Sequence, residues 1–246
     1  MTTDKKVLGL LLATLLGTGS AQADGHEWNW RGFYVGGQVG GAWTDTNWKW
    51  SETDHFVPGG SRLVQESSDW LAGGILGYNF QFGRWVVGVD GSLSGGPLKQ
   101  VSVLPAGTSP VGSDPVTATS DIDWLALATV RLGYSWDRWL AYVKGGYAGA
   151  NVHSSLTDSV GHGTVDKKWH NGWTVGAGVE YQFLKNISLG LEYNFVDLGS
   201  RNYLIDQPNG AAPNFARYNL DTDLHTVTAR LTFRFDRPQA EPMPLK

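Results

Sequence analysis

The sequence predicts an all-β protein, an eight-stranded antiparallel up-and-down transmembrane β-barrel with short periplasmic turns and long extracellular loops. Three observations lead to this prediction. Apolar and polar residues alternate with a period of two in eight segments, short and long connections alternate strictly between those segments, and the apolar phase carries no charge. A period of two is the side-chain period of a β-strand, so each segment has two unlike faces.

The N-terminus, MTTDKKVLGLLLATLLGTGSAQA, has the three parts of a secretory signal peptide. Lys5 and Lys6 precede an apolar run from Val7 to Leu16, and Ala21-Gln22-Ala23 provides a small-residue cleavage site. The apolar run is too short to span a bilayer as a helix. The sequence therefore predicts cleavage after Ala23 and an exported mature chain.

The composition agrees with an exported barrel. The chain has 33 Gly and 12 Trp but no Cys, so disulfides contribute nothing. It carries 19 basic and 23 acidic residues, and cleavage would leave 17 and 22, a net charge of −5. An acidic chain without a basic patch indicates no nucleic-acid partner.

The eight predicted strands have roughly the length that a tilted strand needs to cross a bilayer. They lie at about 32–43, 70–80, 85–94, 122–134, 139–150, 172–183, 187–197 and 225–235. Three connections are short (Gln81–Arg84, Ser135–Arg138 and Leu184–Asn186) and four are long (roughly 44–69, 95–121, 151–171 and 198–224). This alternation is typical of outer-membrane barrels, and an even number of strands places both termini on the short-turn, periplasmic side.

These boundaries divide the chain into four parts. We expect a signal peptide over 1–23, an N-terminal periplasmic segment over 24–31, the barrel over 32–235 and a Pro-rich periplasmic tail over 236–246. The tail contains three prolines, which disfavour both strand and helix.

The apolar phase is predicted to face lipid. In GWTVGAGVEYQF, residues 172–183, large apolar residues alternate with small or polar ones, and the only charge, Glu180, lies in the polar phase. A lipid-facing Arg or Lys costs roughly 2–4 kcal/mol at the bilayer midplane, which explains a phase without charge. A soluble lipocalin-type barrel would have the opposite arrangement, with an apolar lumen and a polar exterior.

Aromatic residues concentrate at both ends of the predicted strands, as expected for two membrane–water interfaces. The periplasmic belt contains Phe33, Phe80, Trp85, Tyr134, Trp139, Phe183 and Phe235, and the extracellular belt contains Trp43, Trp70, Trp124, Trp173 and Phe195.

The inward phase contains three acidic and three basic residues, which are Asp90, Glu180, Glu192, Arg131, Lys144 and Arg230. Each lies three to five residues from the periplasmic end of its strand, so we expect one neutral charge network across the lumen. The interior of an eight-stranded barrel is just wide enough for side chains to fill. Two interpretations remain open: a polar core that plugs the barrel, and a charged constriction in a narrow channel for small solutes.

Four stretches carry a family resemblance: WNWRGFYVGGQVGGAWTDT, GGILGYNFQFGRWVVGVDGS, DWLALATVRLGYSWDRWLAYVKGG and GWTVGAGVEYQFLKNISLGLEYNFVDLG. They resemble the small eight-stranded outer-membrane proteins of Gram-negative bacteria that are called outer-membrane immunogenic proteins or major surface antigens, of the "porin family", and also the membrane domain of OmpA. The resemblance implies an abundant envelope protein in contact with outer-membrane lipid and lipopolysaccharide. Its long loops would be exposed to antibodies and to host-surface or other extracellular ligands.

The resemblance also implies that the barrel-assembly machinery reads the terminal aromatic of the last strand. Here the last strand, HTVTARLTFRF, ends at Phe235, and the tail DRPQAEPMPLK follows it, whereas relatives usually end on the aromatic.

A remote alternative is a hydrolase at the outer rim. Asp121 and Asp123 open the fourth strand, and Asp223 and His225 open the eighth, a combination that resembles omptin-type proteases. By the predicted register, however, the first pair points inward and the second outward, and Asp is common near strand ends. His153, His162 and His170 are expected to be solvated loop residues, so the sequence predicts neither an enzyme nor a metal or other cofactor.

Overall fold

The computed structural model of the protein describes residues 28–50, 59–104, 116–157, 163–206 and 215–235. They form strands β1 (Gly32–Trp50), β2 (Arg62–Phe82), β3 (Trp85–Leu104), β4 (Val116–Trp136), β5 (Trp139–Thr157), β6 (Gly163–Leu184), β7 (Ile187–Asp206) and β8 (Phe215–Phe235). No helix in these ranges is long and apolar enough to span a membrane. The predicted signal peptide and the Pro-rich tail lie outside the described residues.

The eight strands close into a barrel in which each strand pairs with its neighbours in the sequence and β1 pairs with β8. All eight pairings are antiparallel. Phe33 of β1 lies opposite Tyr78 of β2 on one side and Phe235 of β8 on the other. Closure leaves no unpaired sheet edge, and it confirms the predicted fold.

The strands are longer than predicted. They contain 19 to 22 residues, whereas a tilted strand needs about 9–11 to cross the membrane. The periplasmic ends agree with the prediction to within two residues, but the other ends continue through much of the predicted loops; β6, for example, begins at Gly163 instead of 172. The predicted long loops are therefore largely strand. The apolar alternation marks only the part of a strand that faces lipid, while backbone pairing continues beyond it into water.

The three periplasmic connections are two-residue turns, Gly83-Arg84, Asp137-Arg138 and Lys185-Asn186. Gly83 has φ of 60° and Asp137 has φ of 51°, in the left-handed region that tight hairpin turns require. Glycine adopts this conformation freely, and Asp is one of the few other residues that tolerate it.

Side-chain exposure alternates along the strands as the predicted faces require. In β4, Val130 and Leu132 are exposed to the outside at 59% and 48%, while Thr129 and Arg131 are 5% and 1% exposed. The outward phase is therefore the apolar one over the span that was predicted to cross the membrane.

Near and beyond the ends of that span, irregularities change the phase of some strands. The register shifts between Gly95 and Leu98 in β3, Ile122 and Trp124 in β4, Gln182 and Leu184 in β6, and Asp197 and Ser200 in β7. A bulge adds a residue to one strand and so reverses the direction of the side chains beyond it. Alternation alone does not reveal these positions.

Candidate functional site

The most unusual feature of the molecule is the filled lumen near the periplasmic end. The six predicted charged residues all point into it from β3 to β8, and each is at most 6% exposed. Tyr34 of β1 and Asn79 of β2 complete the layer, so every strand contributes a side chain to it. These residues all lie in the inward phase and at similar distances from the periplasmic turns, so their side chains meet at one height in the lumen.

Four of the charges form one ion-pair cluster across the lumen. Lys144 Nζ lies 2.9 Å from Glu192 Oε1 and 3.5 Å from Asp90 Oδ1. Arg230 Nη2 lies 2.9 Å from Asp90 Oδ2, and Arg230 Nη1 also pairs with Glu192. Two bases therefore share two acids. Because β3 and β8 are separated by two other strands, the Arg230–Asp90 pair reaches from one part of the wall to another.

The remaining two charges form a second pair beside the cluster. Arg131 Nη1 donates to Glu180 Oε1 at 2.9 Å, and Arg131 Nε donates to Asn79 Oδ1 at 2.8 Å. The Arg131 guanidinium also lies between the rings of Tyr34 and Tyr142, with its central carbon 4.6 and 5.1 Å from their centroids. A buried guanidinium is stabilised here by charge, by hydrogen bonding and by cation–π attraction together.

Tyr142 connects the pair to the cluster. Its hydroxyl donates to Glu192 Oε2 at 2.6 Å and accepts from Arg230 Nη1 at 2.9 Å, while its ring contacts Arg131. A side chain at Gly178 would leave no room for this ring, because a Cβ there would come within 2.5 Å of the Tyr142 hydroxyl. A glycine on the neighbouring strand therefore makes the bridge possible.

The periplasmic mouth below the charge network is closed by the segment before β1. Trp30 is 0% exposed and packs with Val86, Leu140 and Tyr142. Its backbone amide donates to Gln81 Oε1 at 2.6 Å, and its carbonyl accepts from Asn79 Nδ2 at 3.1 Å.

Two arginines stack on the tryptophans of this segment. The guanidinium of Arg234, in β8, lies 4.7 Å from the Trp30 ring centroid, and that of Arg138 lies 4.5 Å from the Trp28 ring. We define residues 28–30 as the N-terminal plug.

Toward the extracellular end, a cluster of apolar side chains fills much of the lumen. Leucine, isoleucine and valine side chains from β2, β4, β5, β7 and β8 fill it together with three alanines; they are Leu71, Ile122, Leu125, Leu127, Val152, Val196, Leu198, Leu224, Ala42, Ala148 and Ala150. Each is at most 6% exposed. The inward face of this half of the barrel also carries buried polar side chains, among them Thr44, Thr46, Ser94, His170 and Thr222, but none of the six charges. The stretch WLALA at 124–128, apolar in both phases, is the sequence signal for this layer.

The predicted interface aromatics all lie on the outward phase, and several contact each other within a belt. In the periplasmic belt, ring centroids are 5.7 Å apart for Phe33 and Phe235 and 5.4 Å apart for Trp85 and Tyr134. In the extracellular belt, Trp173 and Phe195 are 5.6 Å apart. Trp43, Trp70, Phe80, Trp124, Trp139 and Phe183 are each 41% to 58% exposed.

The rim residues of the hydrolase alternative do not meet. The prediction that Asp121 points inward is wrong, because the bulge at Ile122/Trp124 places Ile122 in the lumen and leaves Asp121 outward, opposite His153. Asp123 Oδ2, at the bulge, lies 3.4 Å from His153 Nε2.

His225, the histidine of this alternative, contacts the Tyr193 hydroxyl at 2.8 Å. β4 and β8 lie on opposite sides of an eight-stranded ring, so the Asp121/Asp123 pair and the Asp223/His225 pair are on opposite walls and do not contact each other.

The predicted loop histidines are also placed differently. His153 belongs to β5 and His170 to β6, where His170 is 0% exposed in the lumen. The sequence predicted both in loops, but the strands are longer than predicted and include them. His162 lies outside the described residues. Among the described residues, no three His, Asp or Glu side chains are grouped so that they could hold a metal ion.

Sequence reasoning missed the N-terminal plug, the two tyrosines of the charge network and the apolar layer. Tyr34 and Tyr142 share the inward phase with the charges, and each lies beside a glycine of the next strand, Gly77 and Gly178. An aromatic residue in an otherwise polar phase is a usable signal. Nothing in the alternation, by contrast, indicates that Trp30 turns into the lumen before the first strand begins.

Comparison with known proteins places this barrel among outer-membrane proteins. Residues 9–235 match the family described as outer membrane protein beta-barrel domain. The chain is 30% identical over 215 residues to a 31 kDa outer-membrane immunogenic protein of Brucella melitensis biotype 1, with 84% of each chain covered.

Two solved structures share the fold at low sequence identity. The outer-membrane protein OprG of Pseudomonas aeruginosa has a TM-score of 0.52 and 11% identity, and the outer-membrane protease OmpT of Escherichia coli has a TM-score of 0.50 and 9% identity. For both, the match covers 83% of this chain and 97% of the other.

Proposed function

Because the chain belongs to the outer membrane protein beta-barrel domain family, it is an integral protein of the bacterial outer membrane, and we propose that it is a sealed barrel with a structural and surface-exposed role. Its relatives are named as immunogenic outer-membrane proteins and not as enzymes. A surface antigen of this kind needs a stable barrel to present its extracellular connections, and it needs no pore.

The observation that carries the proposal is the charge network that crosses the lumen. All six charged residues are buried and paired, and the pairs join side chains from different strands. Opening a water path would separate buried ion pairs, and leaving one charge of such a pair alone costs about 3–5 kcal/mol. The N-terminal plug below the network and the apolar layer above it add two further barriers.

Conductance of the refolded mature protein in planar bilayers tests the sealed lumen. We expect no resolved current steps for the natural protein. Steady steps in the natural protein, growing when Glu180 and Glu192 are both replaced by Ala, would support the second candidate, a narrow channel for small solutes. In that case the same charge network is the constriction.

The surface role rests on the extracellular connections between the long strands, 51–61, 105–115, 158–162 and 207–214. We propose that they contact host-surface or other extracellular ligands. The test compares adhesion of intact cells that carry the full protein with cells in which these connections are shortened, at equal barrel abundance. Equal adhesion would exclude the adhesion role and leave a structural one.

Assembly of the barrel requires a partner in addition to lipid and lipopolysaccharide. We propose that the barrel-assembly machinery binds the last strand through its terminal aromatic, Phe235. That ring is 48% exposed on the outward face and contacts Phe33 and Phe233. A variant that lacks this ring should accumulate unassembled in the periplasm.

A further inference from the structure

The periplasmic rim of the barrel carries a ring of basic side chains. Each of the three two-residue turns contributes one, Arg84, Arg138 and Lys185, and Arg31 precedes β1. Three of the four are exposed and Arg138 is half-buried. The described residues of the turns and of the segment before β1 include one acid, Asp137. We define these four bases as the basic ring.

The turns are held firmly against the next strands. Ser135 N donates to Arg84 O at 2.7 Å, and Gln182 N donates to Arg138 O at 2.8 Å. Arg84 Nη1 also donates to the Tyr134 hydroxyl at 3.3 Å. The basic ring is therefore carried by fixed backbone, so its charges stay at one level.

The apolar residues beside each turn indicate how deep the basic ring lies in the membrane. Phe82 pairs with Trp85, and Trp136 pairs with Trp139. All four point outward and are 41% to 68% exposed, and Leu184, beside the third turn, is 51% exposed. Large apolar side chains in this position lie at the edge of the hydrocarbon, and bases just beyond them reach the depth of lipid phosphates.

On the outward positions that the structure describes, the opposite end of the barrel has the reverse charge. Acidic residues on described outward positions there include Asp45, Glu66, Asp197, Asp221 and Asp223, against Lys49 and Arg62. The protein as a whole is acidic, with a formal net charge of −4. The basic ring is therefore a local feature of the periplasmic rim and not a consequence of composition.

We propose that the basic ring binds the phosphate headgroups of anionic phospholipids in the inner leaflet of the outer membrane. The proposal goes beyond the structural role, because it assigns a lipid class to one rim of the barrel. Each base close to an anionic surface strengthens association by about fivefold, and the effect weakens as salt screens it. An acidic cell-wall polymer is the competing partner for exposed periplasmic bases, but it would not explain why each turn is flanked by exposed apolar residues.

Tryptophan quenching by brominated lipids tests the proposal. The mature protein is refolded into phosphatidylcholine vesicles that contain brominated phosphatidylglycerol or brominated phosphatidylcholine, and the relative association constant of the two lipids is measured. Trp85, Trp136 and Trp139 flank two of the turns and report on lipid at this rim. The exposed tryptophans of the other end are replaced by Phe in every protein that is compared; they are Trp43, Trp70, Trp124, Trp169 and Trp173. We expect a preference for phosphatidylglycerol that falls at least fivefold in Arg84→Gln/Lys185→Gln and at high salt.

Two variants make the result specific. Arg84→Lys/Lys185→Arg keeps the charges and should keep the preference. Lys49→Gln/Arg62→Gln removes two charges at the opposite end and should also leave it unchanged.

The proposal is overturned if the Arg84→Gln/Lys185→Gln variant retains the natural preference, or if the Lys49→Gln/Arg62→Gln variant loses it equally. It is also overturned if Arg84→Gln/Lys185→Gln keeps its lipid preference but no longer sediments with purified cell wall, because the acidic cell-wall polymer would then be the partner. A sealed barrel and a conducting barrel predict the same lipid preference. Failure of the lipid proposal would therefore leave the proposed sealed barrel, which the conductance test addresses, unaffected.

Discussion

At the scale of single residues, the lumen shows how charge can be buried in a narrow barrel. Glu180 is the only charged residue between 172 and 183 of β6, and its partner Arg131 comes from β4, two strands away. Both side chains are 1% exposed. A pair this deeply buried contributes little net stability when it is complete, but removing one partner leaves an uncompensated charge.

Removing one partner should therefore be worse than removing both. We expect Glu180→Leu to lower the free energy of unfolding by about 3–5 kcal/mol, because Arg131 loses its counter-charge. Glu180→Leu/Arg131→Leu should cost less than the sum of the two single changes. Urea unfolding of the refolded barrel in detergent measures all four members of the cycle, and additive losses would contradict a coupled pair.

A residue distant from Glu180 provides the control for this cycle. Glu180→Leu combined with Lys49→Leu should be additive, because Lys49 lies at the extracellular end, 3.9 Å from Asp221 and far from Glu180.

At the scale of the element, the short segment before β1 behaves as part of the barrel interior and not as a free periplasmic arm. Trp30 is anchored by two backbone hydrogen bonds and by the Arg234 guanidinium. Trp28 is only half-buried and stacks on Arg138 at the rim. The two tryptophans, two residues apart, therefore have different energetic roles.

Replacing each tryptophan by Ala should separate these roles. Trp30→Ala empties a fully buried site and should cost about 3–5 kcal/mol, whereas Trp28→Ala loses a rim stacking contact worth about 0.5–1 kcal/mol. The urea midpoint of each variant in the same detergent measures the difference. Equal effects would mean that Trp30 does not plug the lumen in solution.

The last strand leads to a second prediction for an element. Among the described residues β8 ends at Phe235, which faces Phe33 across the closing seam. The prolines of the tail disfavour a further strand, so deleting residues 236–246 should leave a folded barrel. Phe235→Ala in that truncated chain should impair assembly, because it removes the terminal ring. The mobility difference between unheated and boiled samples of purified outer membranes reports the folded form.

The opposite outcome for the last strand is equally clear. If the truncated chain loses the compact unheated form while Phe235→Ala retains it, the tail is part of the fold and the strand does not end at Phe235.

At the scale of the whole molecule, the two ends of the barrel differ in every respect that the structure describes. The periplasmic end has two-residue turns, the plug, the charge network and the basic ring, whereas the extracellular end has longer connections, an apolar cluster in the lumen and acidic outward residues. This asymmetry determines one orientation in the membrane, with the longer connections outside.

Labelling of inserted tags tests the orientation. Tags at Gly107 or Gly161, in the connections 105–115 and 158–162, should be labelled on intact cells, and a tag at Asp137, in a periplasmic turn, should not. Permeabilised cells should label all three, which controls for tag accessibility. Labelling at Asp137 before permeabilisation would reverse the topology.

The strand number, the order of strands, the two faces and the inward position of the six charges follow from local periodicity, because alternation is a property of each segment alone. Phe33, Val130 and Arg131 can be assigned to a face without knowing any neighbour. The choice of Glu180 as the partner of Arg131, by contrast, depends on strand tilt and on the register between β4, β5 and β6.

Tertiary structure alone decided the remaining features. The bulge at Ile122/Trp124 turned Asp121 outward, continued backbone pairing extended the strands beyond the lipid, and the space inside the closed barrel admitted Trp30. The physical reason is common to all three: each depends on contacts between residues distant in the chain, which exist only after the barrel has closed.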